Sequence, residues 1–244
     1  MEQVVKARNL RDVNFRFGYY FSLITAVVTL GTFTLAVMTP PLSGPFCAGS
    51  CFEYPFTGIE ARFPRDYLWM YPSMLVSMLF VVLFICIHEY AAMSRKMFSR
   101  IGVSIAIISA SILIPNYFVQ VTVIQPSLLN GEKEGIALFS QYNAHGMFIA
   151  LEEISYLLMN FSFFAIIPVF TGTSGLSKAI RITCITGFIL SVLSLIFVSL
   201  KFGIMREYIF EVIIISIVWM QLIIVSILLS IEFRRKLKTG KTGI

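Results

Sequence analysis

The sequence predicts an all-α polytopic membrane protein, a bundle of six transmembrane helices with both termini in the cytoplasm. Three observations carry this. The 244 residues are 57% hydrophobic and only 13% charged, with a mean hydropathy of +0.85, which excludes soluble and disordered classes. Apolar runs of about 20 residues, the length needed to cross a bilayer, recur six times. The basic residues cluster at the ends of those runs, as topology-setting flanks do.

Residues 1–17 carry Lys6, Arg8, Arg11 and Arg16 among Val4, Val5, Leu10, Val13 and Phe15. The stretch reads as a positive-inside flank or a short amphipathic lead-in on an anionic surface. The first span covers about 17–38, too long for a signal-peptide core and without a small-residue cleavage site after it, so it is expected to be retained. Thr39-Pro40-Pro41 ends it.

The first loop, about 39–66, holds five prolines, several glycines, Cys47 and Cys51, and so cannot be one helix. Its aromatic residues suit a cap folded back over the mouth of the bundle. The Cys-x-x-x-Cys spacing lacks a second pair or a nearby histidine, which argues against zinc. A local disulfide on an oxidising face or two free thiols remain the readings. Cys86 and Cys184, inside apolar runs, are packing residues.

The second span, about 67–93, opens with Tyr67, Trp69, Tyr71 and Pro72, rings that suit the interface and a proline that suits a first turn. The third, about 101–125, contains Pro115, expected to kink it, with Asn116 and Gln120 on one face at i, i+4 spacing. A connection with an Asn130-Gly131 turn signal leads to the fourth span, about 145–170. The fifth, about 182–200, has no ionisable group, and the sixth covers about 208–231. The spans leave no room for a separate soluble domain, so the chain is expected to form a single integral membrane domain over 1–244.

Lys and Arg divide unevenly: fourteen of the nineteen lie at the termini and in the second and fourth connections, five in the first, third and fifth. The positive-inside rule therefore puts both termini in the cytoplasm and Cys47 and Cys51 outside. No basic patch interleaved with aromatic residues is present, so the net charge of +6 implies no nucleic-acid partner. The location expected is the cell membrane.

Candidate chemistry concentrates in the fourth span. His145, Glu152, Tyr156 and Asn160 are spaced by seven, four and four, which aligns them as one polar stripe; Glu153 points about 100° away. A carboxylate at bilayer depth is costly, so such residues face the bundle interior or a water-filled cavity and are functional suspects by default. At about 1.5 Å per residue, Glu152 lies roughly 10 Å below the outer end of its span, at a depth similar to Asn116 and Gln120. Glu211 and Gln221 on the sixth span, and Tyr67 and Tyr71 on the second, could join from other sides.

The site expected is therefore a polar pocket in the outer half of the bundle, roofed by the first loop. Asn116, Gln120, Glu152, Glu153, Tyr156 and His145 are its ligand-binding candidates, with a cation, amine or proton held at a glutamate. The bland alternative is that Glu152, Asn116 and Gln120 satisfy one another as polar glue between packed helices. His145 also suits the water interface at the start of its helix. His88-Glu89 sits near the cytoplasmic interface and no H-E-x-x-H follows, so a metal role is not expected. Gly172-Thr173-Ser174-Gly175 resembles the G-x-S-G of rhomboid intramembrane proteases. That chemistry needs a histidine on a later helix and none follows His145, so it is set aside.

No phosphate-binding loop, metal-ligand cluster or voltage-sensing arginine row is present, and no cofactor or metal is expected. Three functions fit this sequence: binding or transport of a small molecule or lipid, intramembrane acid-base chemistry on a lipid, and an accessory or scaffold subunit contacting a membrane-protein partner or a second copy.

Overall fold

A computed structural model describes residues 2–241, with side chains for 12–239. The basic lead-in residues Lys6, Arg8 and Arg11, and Lys241 of the tail, thus have side chains outside the described residues. Six helices are long and apolar enough to cross a membrane. They are α1 (Glu2–Met38), α2 (Met70–Tyr90), α3 (Lys96–Val119), α4 (Met147–Ala165), α5 (Gly175–Phe202) and α6 (Glu207–Lys241). No strand occurs among the described residues.

The first, third, fifth and sixth spans run longer than the apolar runs suggest, while the second and fourth do not. The fifth extends over Gly175–Met205 rather than 182–200, and the sixth over Glu207–Thr239 rather than 208–231. The physical reason is that Lys178, Arg181 and the basic residues after Ile231 do not break a helix. They occupy its end turns, where long side chains reach the interface. Ser174 starts α5, its Oγ accepting from the Ser177 N–H at 3.3 Å. Pro115 is accommodated within α3, which continues through a π-helical stretch, Gln120–Ile124, into a final turn, Gln125–Leu129.

Neighbours in sequence pack as neighbours in space, α1 on α2, α2 on α3 and α3 on α4, and the ring closes through α4 on α6 and α6 on α1. Helix α5 lies against α4 and α6 at the periphery. Its most apolar stretch is only 22% buried, against 56% for α2 and α4. Residues such as Leu193, Phe197 and Leu200 on α5 and Val27 on α1 face outward, as a lipid-facing surface requires.

Because lipid tails are as apolar as the core, helices are held here by close packing and internal hydrogen bonds. Ser22, Thr25, Thr29 and Thr32 repeat at the inward-facing spacing of α1 and are all buried. Ser22, Thr25 and Thr32 donate to the carbonyls of Gly18, Phe21 and Val28 at 2.7, 2.7 and 2.8 Å, so these hydroxyls need no partner on the neighbouring helix. Gly187 lets α6 approach α5 so closely that a Cβ there would run into the Gln221 carboxamide. Phe80 and Phe84 on α2 meet Phe163 on α4, each with ring centroids 5.4 Å apart.

The connection after α1 is a chain of short 3₁₀ turns, Gly44–Phe46, Ile59–Arg62 and Arg65–Tyr67, with Cys47 and Cys51 joined as a disulfide. Between α3 and α4 lies one further short helix, Ile136–Phe139, reached through Gly135 at φ +76. Both connections sit at the end of the bundle opposite the termini.

Candidate functional site

Three helices meet in the half of the bundle nearest the disulfide. From α4, Glu152 is fully buried and Tyr156, one turn later, shares its face. From α3, the Tyr117 hydroxyl lies 2.6 Å from Glu152 Oε1 and donates to it, and 2.8 Å from the Tyr156 hydroxyl. From α6, Glu211 reaches the same group, its side chain beside that of Glu152. Two ionised carboxylates have only acceptors, so the pair can hydrogen-bond only through a proton carried by one of them. Glu152 Oε2 is buried and has no hydrogen-bond partner among the described residues. Trp219 borders Tyr156 and Trp69 borders Tyr117, with ring centroids 6.1 and 5.4 Å apart, so aromatic faces exclude water from the group.

Glu211 is the member of this group that reaches open space. A cavity of about 350 Å³ lies between the last turns of α1 and the first turns of α6. Pro40, Pro41, Leu42 and Phe46 of the first loop roof it, Phe33 and Trp219 form its apolar floor, and Glu211 stands in its wall. Val37 and Val212 also line it, and they are 71% and 41% exposed on the outer surface. The cavity therefore opens sideways between α1 and α6, at the loop-covered ends of these two apolar spans.

The loop that roofs the cavity is pinned by ion pairing. Arg62 donates to Asp66 through Nε at 2.7 Å and Nη2 at 3.3 Å, and the Tyr142 hydroxyl donates to Asp66 Oδ2 at 3.1 Å. Asp66 is 1% exposed, so its charge is held by these donors rather than by water. The hydrogen bond to Asp66 raises the pKa of the Arg62 guanidinium. Burial raises that of the Tyr142 phenol, with Tyr67 and Asp66 adding to it, so Tyr142 stays a donor well into alkaline solution.

The predicted site residues do not form one cluster. Asn116 donates to the Phe148 carbonyl at 3.0 Å. Gln120 donates to the Phe139 carbonyl at 2.6 Å and accepts from the Gln141 N–H at 3.2 Å. These amides tie α3 to the start of α4 and to the short helix before it, which is where low-dielectric surroundings drive an amide with main-chain partners in reach. It is Tyr117, beside Asn116 in sequence, that reaches Glu152. Glu153 points away from Glu152 and pairs with Arg206 at 3.1 Å. His145 precedes α4, half-exposed, with Nδ1 3.5 Å from Glu207 Oε2. Asn160 donates to Ser191 on α5 at 2.6 Å. Of the expected pocket residues, Glu152 and Tyr156 come together. The cavity itself lies toward α1 and α6, lined by neither Glu152 nor Glu153.

Of the outlying candidates, Glu211 joins the group and Gln221 does not: Gln221 packs against Gly187 and Cys184 of α5. Tyr67 is buried near Gln125 and Gln141, and Tyr71 is 45% exposed. His88 bonds Ser99 at 2.9 Å and Glu89 lies 3.9 Å from Lys96, both near the opposite end. Ser174 is the cap of α5. No group of three His, Cys, Asp or Glu side chains suited to a metal occurs among the described residues.

Sequence reasoning missed Tyr117, Trp219, Tyr142 and Arg206. The aromatic residues carry no distinguishing signal in a chain with 23 phenylalanines and 10 tyrosines. Arg206, at the edge of an apolar span, reads as a flank. No protein-family model, no curated protein and no solved structure matches this chain.

Proposed function

We propose that the chain is a multi-pass protein of the cell membrane, with both termini cytoplasmic, that binds or transports a lipid or an amphipathic small molecule through the cavity beside Glu211. The single observation carrying this reading is the sideways opening between α1 and α6 onto a mostly apolar cavity with one buried acid in its wall. An alkyl chain would lie against Phe33, Ile215 and Trp219, and a hydroxyl or amine would donate to Glu211. The roof, pinned through Asp66, closes the cavity from the aqueous side.

Acid-base chemistry on a lipid is the second reading, favoured by the neighbouring carboxyl groups of Glu152 and Glu211 and by the Tyr117 and Tyr156 hydroxyls behind them. A carboxyl group that passes a proton to a bound hydroxyl or amine, and recovers it through Glu152, would be a general acid. Turnover distinguishes the two readings.

The test uses the full chain in vesicles carrying a long-chain alcohol with a photoreactive diazirine on its tail. Labelling concentrated on residues 33–42 and 208–219, and reduced at least fivefold by Ala36→Trp, which fills the cavity, is expected. Labelling spread evenly over the lipid-facing surface of α5 and unchanged by Ala36→Trp would overturn the reading.

A further inference from the structure

At the end of the bundle that carries both termini a second and larger cavity, of about 1100 Å³, lies between α6, the end of α2 and the segment leading into α5. Its charged lining is balanced: Glu89 and Glu232 against Arg235 and Lys236. Glu232 is 5% exposed. Its Oε1 accepts from the Tyr90 hydroxyl at 2.9 Å and lies 3.8 Å from Lys236 Nζ, while its Oε2 is buried and without a partner among the described residues. A buried carboxylate oxygen left without a donor is costly, and it signals that a donor belongs there. Across the cavity stand Thr173 and Ser174 at the N-terminus of α5, a helix of 28 residues whose first amides point outward and favour an anion. Arg235, exposed and in no ion pair among the described residues, adds a planar fork of donors suited to phosphate.

A simple phosphate would satisfy the helix end and Arg235 but would face two carboxylates; a simple amine would satisfy Glu232 but would face two cations. We propose that this cavity binds a phosphate ester bearing a primary ammonium group, with the phosphate between the α5 N-terminus and Arg235 and the ammonium donating to Glu232. The site is separate from the cavity beside Glu211 and does not depend on its ligand. A primary ammonium is required because a quaternary one has no N–H to give the unpartnered oxygen. The ligand is either a membrane lipid, since the cavity lies at the end of the spans, or a soluble phosphoethanolamine-like molecule from the aqueous side.

The purified, delipidated full chain is titrated with phosphatidylethanolamine and phosphatidylcholine in mixed micelles, and with soluble phosphoethanolamine and inorganic phosphate, read by native mass spectrometry and thermal shift. Phosphatidylethanolamine should bind at least tenfold more tightly than phosphatidylcholine. Arg235→Ala, at an exposed position, should weaken it about tenfold. Glu232→Gln, which keeps the size of the side chain and an acceptor for Tyr90, should remove the preference over phosphatidylcholine. Soluble phosphoethanolamine matching the lipid identifies the ligand as a free molecule; binding of the lipid alone identifies a headgroup, and either supports the site. Equal binding of the two lipids, inorganic phosphate binding as well as either, or unchanged binding in Arg235→Ala would overturn it.

Discussion

Tyr117 on α3 donates to Glu152 on α4 at 2.6 Å inside the bundle, and Glu211 on α6 stands beside the same carboxyl group. The proximity of the two glutamates joins the most buried acid among the described residues to the wall of the cavity. Two ionised carboxylates so placed would only repel, so a proton held between them would be a structural element.

An amide can take the place of a protonated carboxyl group in such a pair. Glu152→Gln keeps an acceptor for Tyr117 and supplies an N–H to Glu211, so it should change stability by less than about 1 kcal/mol. Glu152→Ala removes the acceptor and leaves a void, and should cost about 2–4 kcal/mol. Thermal unfolding of the purified variants in one detergent reads the difference. If Glu152→Gln and Glu211→Gln both lose as much as Glu152→Ala, the shared proton is wrong.

How far the sequence leads depends on which property is asked of it. The six spans follow from hydrophobic run length alone, though the fifth begins before its apolar run does, because Lys178 and Arg181 form the first turns of α5 rather than a connection. Glu152 and Glu211 stand out because an acid in a lipid-length run is costly wherever it lies. Their meeting was harder to foresee. Helical spacing puts Asn116 and Gln120 on one face but does not say how α3 is rotated against α4, and that rotation brings Tyr117 to Glu152 instead. The cavity lies between the first and last helices, whose adjacency is a property of ring closure that no local pattern encodes.

Arg206 and Glu153 form the other polar link between α4 and the start of α6, at 3.1 Å, with Phe210 packed 5.6 Å from the guanidinium. Arg206→Ala leaves a carboxylate that is 9% exposed without its cation and should destabilise by about 2 kcal/mol. That is below the roughly 3–5 kcal/mol of a fully buried pair, because Arg206 itself keeps 27% exposure. The double change Arg206→Gln with Glu153→Gln should recover most of the loss. A double variant no more stable than Arg206→Ala would show that Arg206 acts through packing alone.

Tyr142 links pH to the roof of the cavity. Its phenol ionises at a higher pH folded than unfolded, so above pH 10, its ordinary value, the unfolded chain releases the proton first and stability falls as pH rises. Tyr142→Phe should cost about 1 kcal/mol near neutrality through the lost bond to Asp66. It should also make the fall in stability above about pH 10 shallower than in the wild-type chain. Parallel curves for the two proteins would show that Tyr142 titrates alike in both states.

The orientation of the bundle rests on charge, and Cys47 and Cys51 provide the means to test it. Fourteen of nineteen basic residues lie at the end that carries the termini, so the disulfide loop is expected outside the cell, where the bridge persists. Cys86 and Cys184 are buried within the bundle and should not react with a membrane-impermeant maleimide. Intact cells should therefore show no labelling before reduction. After a brief treatment with an impermeant reductant, labelling should appear and should be abolished by Cys47→Ser with Cys51→Ser. Labelling seen only once the membrane is permeabilised would place the loop inside and reverse the topology, and the Glu211 cavity would then open toward the cytoplasmic leaflet.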